Sequence, residues 1–321
     1  GEPATCTLPN ADVRPGRALG KAVTLNNGGS AVPADWMLSA TGLTGFSGAG
    51  PSVSSDSSFK AGSYNLSESG GPAGYAASTW ACDGGTQVAN NITLGLGESA
   101  TCTITNDDIS PTITVVKTFL HDHGGLITAP NAFGLRVDGG SVIDSVANDY
   151  DASDHTVSES GLAGYEAGTW GGDCNSDGTI SLTLAQNAIC TITNNDISPT
   201  LTVINTITND NGGSTFIEDA FGLKVDGAEI LHNVVTDVNA GLRTLSQDGL
   251  PGYAASVWGG DCNPDGTITL ALGQVATCSI TNNDITPTLK VVKTIINDNG
   301  GLVLDENSFN LKVDALPVLH N

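Results

Sequence analysis

The sequence predicts an all-β protein built as a tandem, rod-like array of small β-sandwich domains. Three observations carry that prediction. Of 321 residues, 41 are Gly and only one is Met, and short runs rich in Thr, Val and Ile alternate with turn residues, a composition that favours strands and turns over helices. The same phrases recur at an 88-residue interval, ATCTITNDDI, AICTITNNDI and ATCSITNNDI, which places Cys102, Cys190 and Cys278 in equivalent positions. Each repeat holds about seven short alternating segments separated by turn signals, the pattern of an immunoglobulin-like sandwich.

Within residues 110–197, Thr112–Thr118 alternates and is β-branched, which marks a first strand. It runs into His121-Asp122-His123-Gly124-Gly125, where the next repeats have Asn-Asp-Asn-Gly-Gly, a tight turn that needs positive φ. Phe133, Leu135 and Val137, matched by Phe221, Leu223, Val225 and by Phe309, Leu311, Val313, read as core positions of a second strand. A variable stretch follows, then a middle strand ending in Ser158-Glu159-Ser160-Gly161, a Gly-Tyr pair, Trp170, a cysteine turn, and a closing hairpin of Thr179–Leu184 with Ile189–Thr193. Trp80, Trp170 and Trp258 are expected to pack beside the cysteines, and Tyr75, Tyr165 and Tyr253 to plug a turn.

The repeats set the boundaries. Residues 1–13 read as the last strand of a preceding repeat, 14–109, 110–197 and 198–285 as three whole sandwiches, and 286–321 as an incomplete fourth. The sequence is then either a window on a longer array or a unit whose ends are completed by neighbouring copies, an edge-strand pairing. Short joints containing Pro predict stiffness between domains.

Each repeat pairs one upstream cysteine with one downstream: Cys82 with Cys102, Cys174 with Cys190, and Cys262 with Cys278, leaving Cys6 without a partner. No CxxC-like cluster suggests a metal, so the pairs read as disulfides formed in an oxidising compartment outside the cytoplasm. The net charge of −23 argues against nucleic acid or anionic lipid as partners, and no apolar run is long enough to insert in a membrane.

The phrases VVKT with NDNGG, LSESG followed by AGY, and CTITNDD resemble the prealbumin-like repeats of bacterial surface proteins, akin to the Cna B-type and SpaA-type domains of adhesins and pilins. The resemblance spans nearly the whole chain. It implies that a first-strand Lys is joined to a last-strand Asn by an isopeptide bond, with a middle-strand Glu moving the proton. The matching residues are Lys21, Glu68 and Asn106 in the first repeat and Lys117, Glu159 and Asn194 in the second. The third reads Asn205, Gln247 and Asn282, so Lys and Glu are replaced together, as partners should be, whether in an ion pair or in an acid–base pair.

Other polar features carry weaker readings. Asp107, Asp108, Asp196 and Asp284, at the oxygen-rich joints, are calcium candidates set against plain turn chemistry. Asn65 and Asn91 open the sequons Asn65-Leu66-Ser67 and Asn91-Ile92-Thr93. The five histidines show neither metal spacing nor a nucleophile context, so no enzyme and no cofactor is expected. The function expected is a structural segment of an extracellular bacterial fibre or surface stalk that associates head to tail with further copies or repeats. An adhesin using the variable stretches 40–60 and 139–154 is the alternative.

Overall fold

The computed structural model describes residues 2–3 and 7–320; Cys6 and Asn321 lie outside the described residues. The chain forms two compact units, one of Gly1–Asp122 with Leu126–Asp196 and one of His123–Gly125 with Ile197–Asn321. The first unit contains two sandwich domains. The second contains the third domain and the segment after it.

In the first domain, Gly16–Thr24 lies parallel to Ser99–Asp108, paired from Gly16 opposite Ser99 to Thr24 opposite Asp107. Ser52–Ser54 flanks the first strand, and Tyr75–Ala77 and Ala81–Asp83 flank the last. The facing sheet runs Phe46–Ala49, Trp36–Gly42, Gly62–Gly70, Asn91–Leu94, Thr86–Val88. Leu19, Leu38, Leu66, Ile92 and Ile104 fill the space between the sheets. Alternation makes this work, since every second residue of Gly16–Thr24 and of Ser99–Asp108 points inward.

The second domain repeats the frame with smaller sheets. Thr112–Leu120 lies parallel to Asn187–Asp196, and the facing sheet orders Gly140–Ser141, Arg136–Val137, Asp154–Ser158, Thr179–Ser181. Phe133, Leu135 and Val137 are all buried, although Phe133 ends a 3-10 turn, Pro130–Phe133, rather than lying in a strand. In the second unit, Thr200–Thr208 runs parallel to Val275–Asp284 against a sheet containing Leu223–Val225, Gly241–Gln247 and Thr267–Leu270.

The closing hairpin predicted from 179–193 does not form. Thr179–Ser181 pairs with Asp154–Ser158 in one sheet, while Asn187–Asp196 joins the other. Both segments alternate with the same phase because Ile180 and Leu182 face Ala188 and Cys190 across the core instead of lying beside them. Residues 7–13, expected as a tail strand, pair with no strand, although the Val13 carbonyl accepts from Gly97 N–H (2.8 Å). Equivalent bonds join Ile109 to Ala185 and Ile197 to Gly273, and Pro15, Pro111 and Pro199 are buried where each domain begins. Among the described residues beyond 285, the regular elements are a 3-10 turn, Glu306–Phe309, and the short pair Lys312–Val313 with Leu316–Pro317. Among the described residues no helix is long and apolar enough to cross a membrane.

The tyrosines are plugs, as expected. Tyr165 meets Phe133 and Tyr253 meets Phe221 edge-on at 5.4 Å, and in the first domain Tyr75 meets Trp36 in the same way. Their hydroxyls accept from the backbone N–H groups of Ile127, Thr215 and Ala31.

At one equivalent position the second and third domains carry different basic side chains. His155 Nδ1 lies 2.6 Å from Asp138, and its Nε2 lies 2.9 Å from the Asp151 carbonyl. The third domain has Arg243 there, 2.9 Å from Asp226. Burial disfavours the charged ring of His155. The bond to Asp138, the Asp151 carbonyl and the two aspartate charges outweigh it and raise the pKa above the ordinary histidine value. A raised folded-state pKa stabilises fully below the unfolded value of about 6.5, and the contribution is lost as pH rises through the folded value. Hydrogen exchange read peptide by peptide should therefore show the second domain opening more readily at pH 8.5 than at pH 5.5, and His155→Arg should flatten that difference.

Candidate functional site

The parallel ladder between first and last strands builds the site. In the second domain Lys117 lies opposite Ile192, two residues before Asn194, so Lys117 and Asn194 share the inward face. Glu159 follows directly on the strand Asp154–Ser158 of the facing sheet and reaches across the core. Lys117 Nζ donates to Glu159 Oε2 at 2.6 Å, and Asn194 Nδ2 donates to Glu159 Oε1 at 2.7 Å. The Asn194 Oδ1 atom is buried and accepts nothing. In the first domain Lys21 Nζ donates to Glu68 Oε2 at 2.8 Å, and Asn106 likewise holds a buried, unpartnered Oδ1. Thus the structure joins all three members of the second set, and in the first it joins Lys21 to Glu68 and places Asn106 buried on the same inward face.

The lysine side chains are fully buried, whereas those of Glu68 and Glu159 keep 13% and 6% exposure. Each ammonium lies over an aromatic ring, Lys21 at 4.5 Å from the Trp36 centre and Lys117 at 4.4 Å from that of Phe133. Burial pushes the pKa of both lysines below the ordinary value, against the opposing pull of the glutamates. That raises the fraction of neutral amine, the form able to attack a carbonyl carbon.

The third domain keeps the geometry without charge. Asn282 Nδ2 donates to Asn205 Oδ1 (2.8 Å) and to Gln247 Oε1 (3.0 Å), while Gln247 Nε2 donates back to Asn282 Oδ1 (2.8 Å). Its members are all amides, with no amine to react.

The calcium candidates divide. Asp108 is buried, and its carboxylate accepts from the backbone N–H groups of Asn26, Asn27 and Gly29, all within 3.1 Å. Asp284 does the same for Asp210, Asn211 and Gly213. Burial opposes these charges, but the converging N–H groups hold both carboxyls below the usual carboxylate range. Their oxygens are therefore committed to pinning the loop after the first strand, a role the sequence reading missed. The paired glycines follow from it: Gly28 and Gly212 adopt φ of 84° and 95°, and a Cβ on Gly213 would come within 2.6 Å of the Tyr253 hydroxyl. Asp196 accepts from Asp122 N–H at 3.1 Å, and Asp107 is exposed. Asn65 and Asn91 are exposed cross-strand neighbours joined side chain to side chain at 3.3 Å.

One disulfide closes each domain, Cys82–Cys102, Cys174–Cys190 and Cys262–Cys278. Each ties the last strand to the segment after the tyrosine plug, with Trp80, Trp170 and Trp258 packed in the cores that contain these cysteines.

Residues 15–104, 108–192 and 196–280 each match the prealbumin-like fold domain of the SpaA type. The chain belongs to that family. Solved structures similar to it include the TIE protein of Bacillus anthracis, at 13% identity and TM-score 0.48 over 84% of this chain and 51% of that one. They also include two B repeat units of the collagen-binding protein of Staphylococcus aureus, at 13% identity and TM-score 0.25 over 84% of this chain and 75% of that one. The pilus adhesin SpaC of Lactobacillus rhamnosus GG in its open form matches at 11% identity and TM-score 0.23 over 85% and 44%. The chain spans about half the length of the TIE protein. No curated protein matches it.

Glu159→Gln leaves the Lys117 amine buried without its carboxylate, whether or not the native set closes a covalent tie. Adding Lys117→Asn, which copies the third prealbumin-like domain, should make that variant more stable again by about 3 kcal/mol, read by urea unfolding followed by hydrogen exchange.

Proposed function

We propose that the chain is a load-bearing segment of an extracellular bacterial fibre or surface stalk, acting in series with further copies or repeats of its own kind. The observation that carries this reading is the parallel pairing of first and last strands. The chain enters each domain at the start of one strand and leaves at the end of its parallel neighbour, as in the pair Gly16–Thr24 and Ser99–Asp108. A pull on the two ends shears that ladder, loading its hydrogen bonds together instead of one after another. Regular disulfides suit an oxidising exterior, and the acidic surface keeps such segments soluble.

The Lys, Glu and Asn sets of the first two domains strengthen the same pair of strands. The neutral Lys Nζ attacks Asn Cγ, the new C–N bond forms, and Nδ2 leaves as ammonia with a proton that the glutamate carries from the amine. The result is a covalent tie across the ladder that a pull would otherwise shear. The chain's chemistry in this reading acts on itself and needs no cofactor or outside substrate.

Intact mass of the unfragmented chain tests the tie. After allowing for the disulfides, the mass should fall short of the sequence by one ammonia for each of the first two domains, and Glu159→Ala should restore one. A mass explained by disulfides alone would leave Lys117 and Glu159 as an ion pair and remove the covalent part of the proposal. Force spectroscopy tests the load-bearing part separately: the third domain should unfold in the native chain while the first two resist extension. Three domains yielding at forces too low to distinguish from loop stretching would defeat the stalk reading.

A further inference from the structure

The first domain holds a buried cation without an anion. Arg17 occupies an inward position of the first strand, where the other two domains have Ile113 and Leu201. It is 3% exposed, its Nε and Nη1 atoms have no partner, and its Nη2 donates to the Sγ of Cys102 at 3.0 Å. Burial lowers its pKa to about 10, which still leaves the guanidinium charged at neutral pH. No carboxylate among the described residues pairs with it.

The two sulfurs of this disulfide differ in their surroundings. Cys102 is wholly buried against Arg17, while Cys82, directly opposite on the neighbouring strand, is partly exposed. In the other domains both cysteines are buried, at 7% exposure or less, and the residue equivalent to Arg17 is aliphatic.

We propose that Cys82–Cys102 is a thiol-exchange site for small thiols, with Cys82 as the sulfur attacked and Cys102 as the leaving group. A thiolate from solvent bonds to Cys82 Sγ as the S–S bond breaks, and the electron pair passes to Cys102 Sγ. The Cys102 thiolate is then held by the Arg17 guanidinium. A second thiolate attacks the mixed disulfide, releasing the oxidised small-molecule disulfide and leaving Cys82 reduced. Exchange speeds up as the leaving thiol becomes more acidic, and a neighbouring guanidinium acidifies it. The equilibrium moves the same way: the oxidised domain carries an unpaired buried cation, which is costly, and reduction supplies its anion. The other two disulfides gain nothing comparable on opening.

The full chain in a series of glutathione redox buffers at pH 7 provides the test, with free thiols alkylated on quenching and mapped by mass spectrometry. Cys82–Cys102 should open at a lower ratio of reduced to oxidised glutathione than the other two, and the trapped glutathione adduct should sit on Cys82. Arg17→Leu should lower its equilibrium constant for reduction about tenfold, roughly 30 mV for two electrons. A variant that misfolded would expose the disulfide and open it more readily, the opposite direction, and the two remaining disulfides serve as references in the same molecule. Three disulfides opening together in the native chain, an adduct on Cys102, or an unchanged midpoint in a folded Arg17→Leu chain would each overturn the proposal.

Discussion

The parallel pairing of first and last strands is the constraint from which the rest of each domain follows. In the first domain it sets Leu19 opposite Cys102 and Lys21 opposite Ile104, so the inward residues of two strands distant in sequence become neighbours. The same register brings Asp108, at the end of the last strand, to the loop that leaves the first, where it collects three backbone N–H groups. Disulfide, buried polar set and loop clamp are thus three consequences of one ladder. A register slip would turn every inward residue outward and break all of them together.

The buried polar set shows what the ladder requires and what it leaves open. Two domains fill the positions with Lys, Glu and Asn, and the third with Asn, Gln and Asn, yet all three keep the middle-strand residue within hydrogen-bond reach of its partner. Position is fixed by the fold, while charge is chosen per domain. Only the lysine-bearing sets supply an amine that can act as a nucleophile, and only charge makes loss of one partner expensive. The aromatic beneath the lysine varies in the same permissive way, Trp36 in one domain and Phe133 in the other.

Much of this was legible in the sequence because alternation and internal repetition reinforce each other. Phe133, Leu135 and Val137 can be assigned to the core from their period alone, and the joint loss of Lys and Glu in the third repeat marks those two as partners. Alternation does not say which strand lies beside which, and there the reading failed. The segment around Ile180 and the one around Cys190 share a phase whether they pair or face each other, and they face each other. The aspartate clamp was hidden for a different reason: Asp108 and Asp284 lie far along the chain from the loops they hold, and a buried carboxylate that accepts backbone N–H groups has the same local sequence as an exposed metal ligand.

Arg17 breaks the inward pattern of its strand, and a broken pattern is where local rules yield to some other demand. His155 and Arg243 at equivalent positions make a parallel case, a histidine whose pKa is raised by its aspartate and an arginine, each anchored by an aspartate at positive φ. The contrast between these cations is physical. A cation paired with a carboxylate stabilises its domain, whereas Arg17 sits in the core and finds only a sulfur. The cost of burying it is lowered when that sulfur carries negative charge, so the first domain's packing is coupled to the oxidation state of its own disulfide. Domains that share one ladder therefore answer to different conditions, pH in the second and thiols in the first, through single side chains set into the same frame.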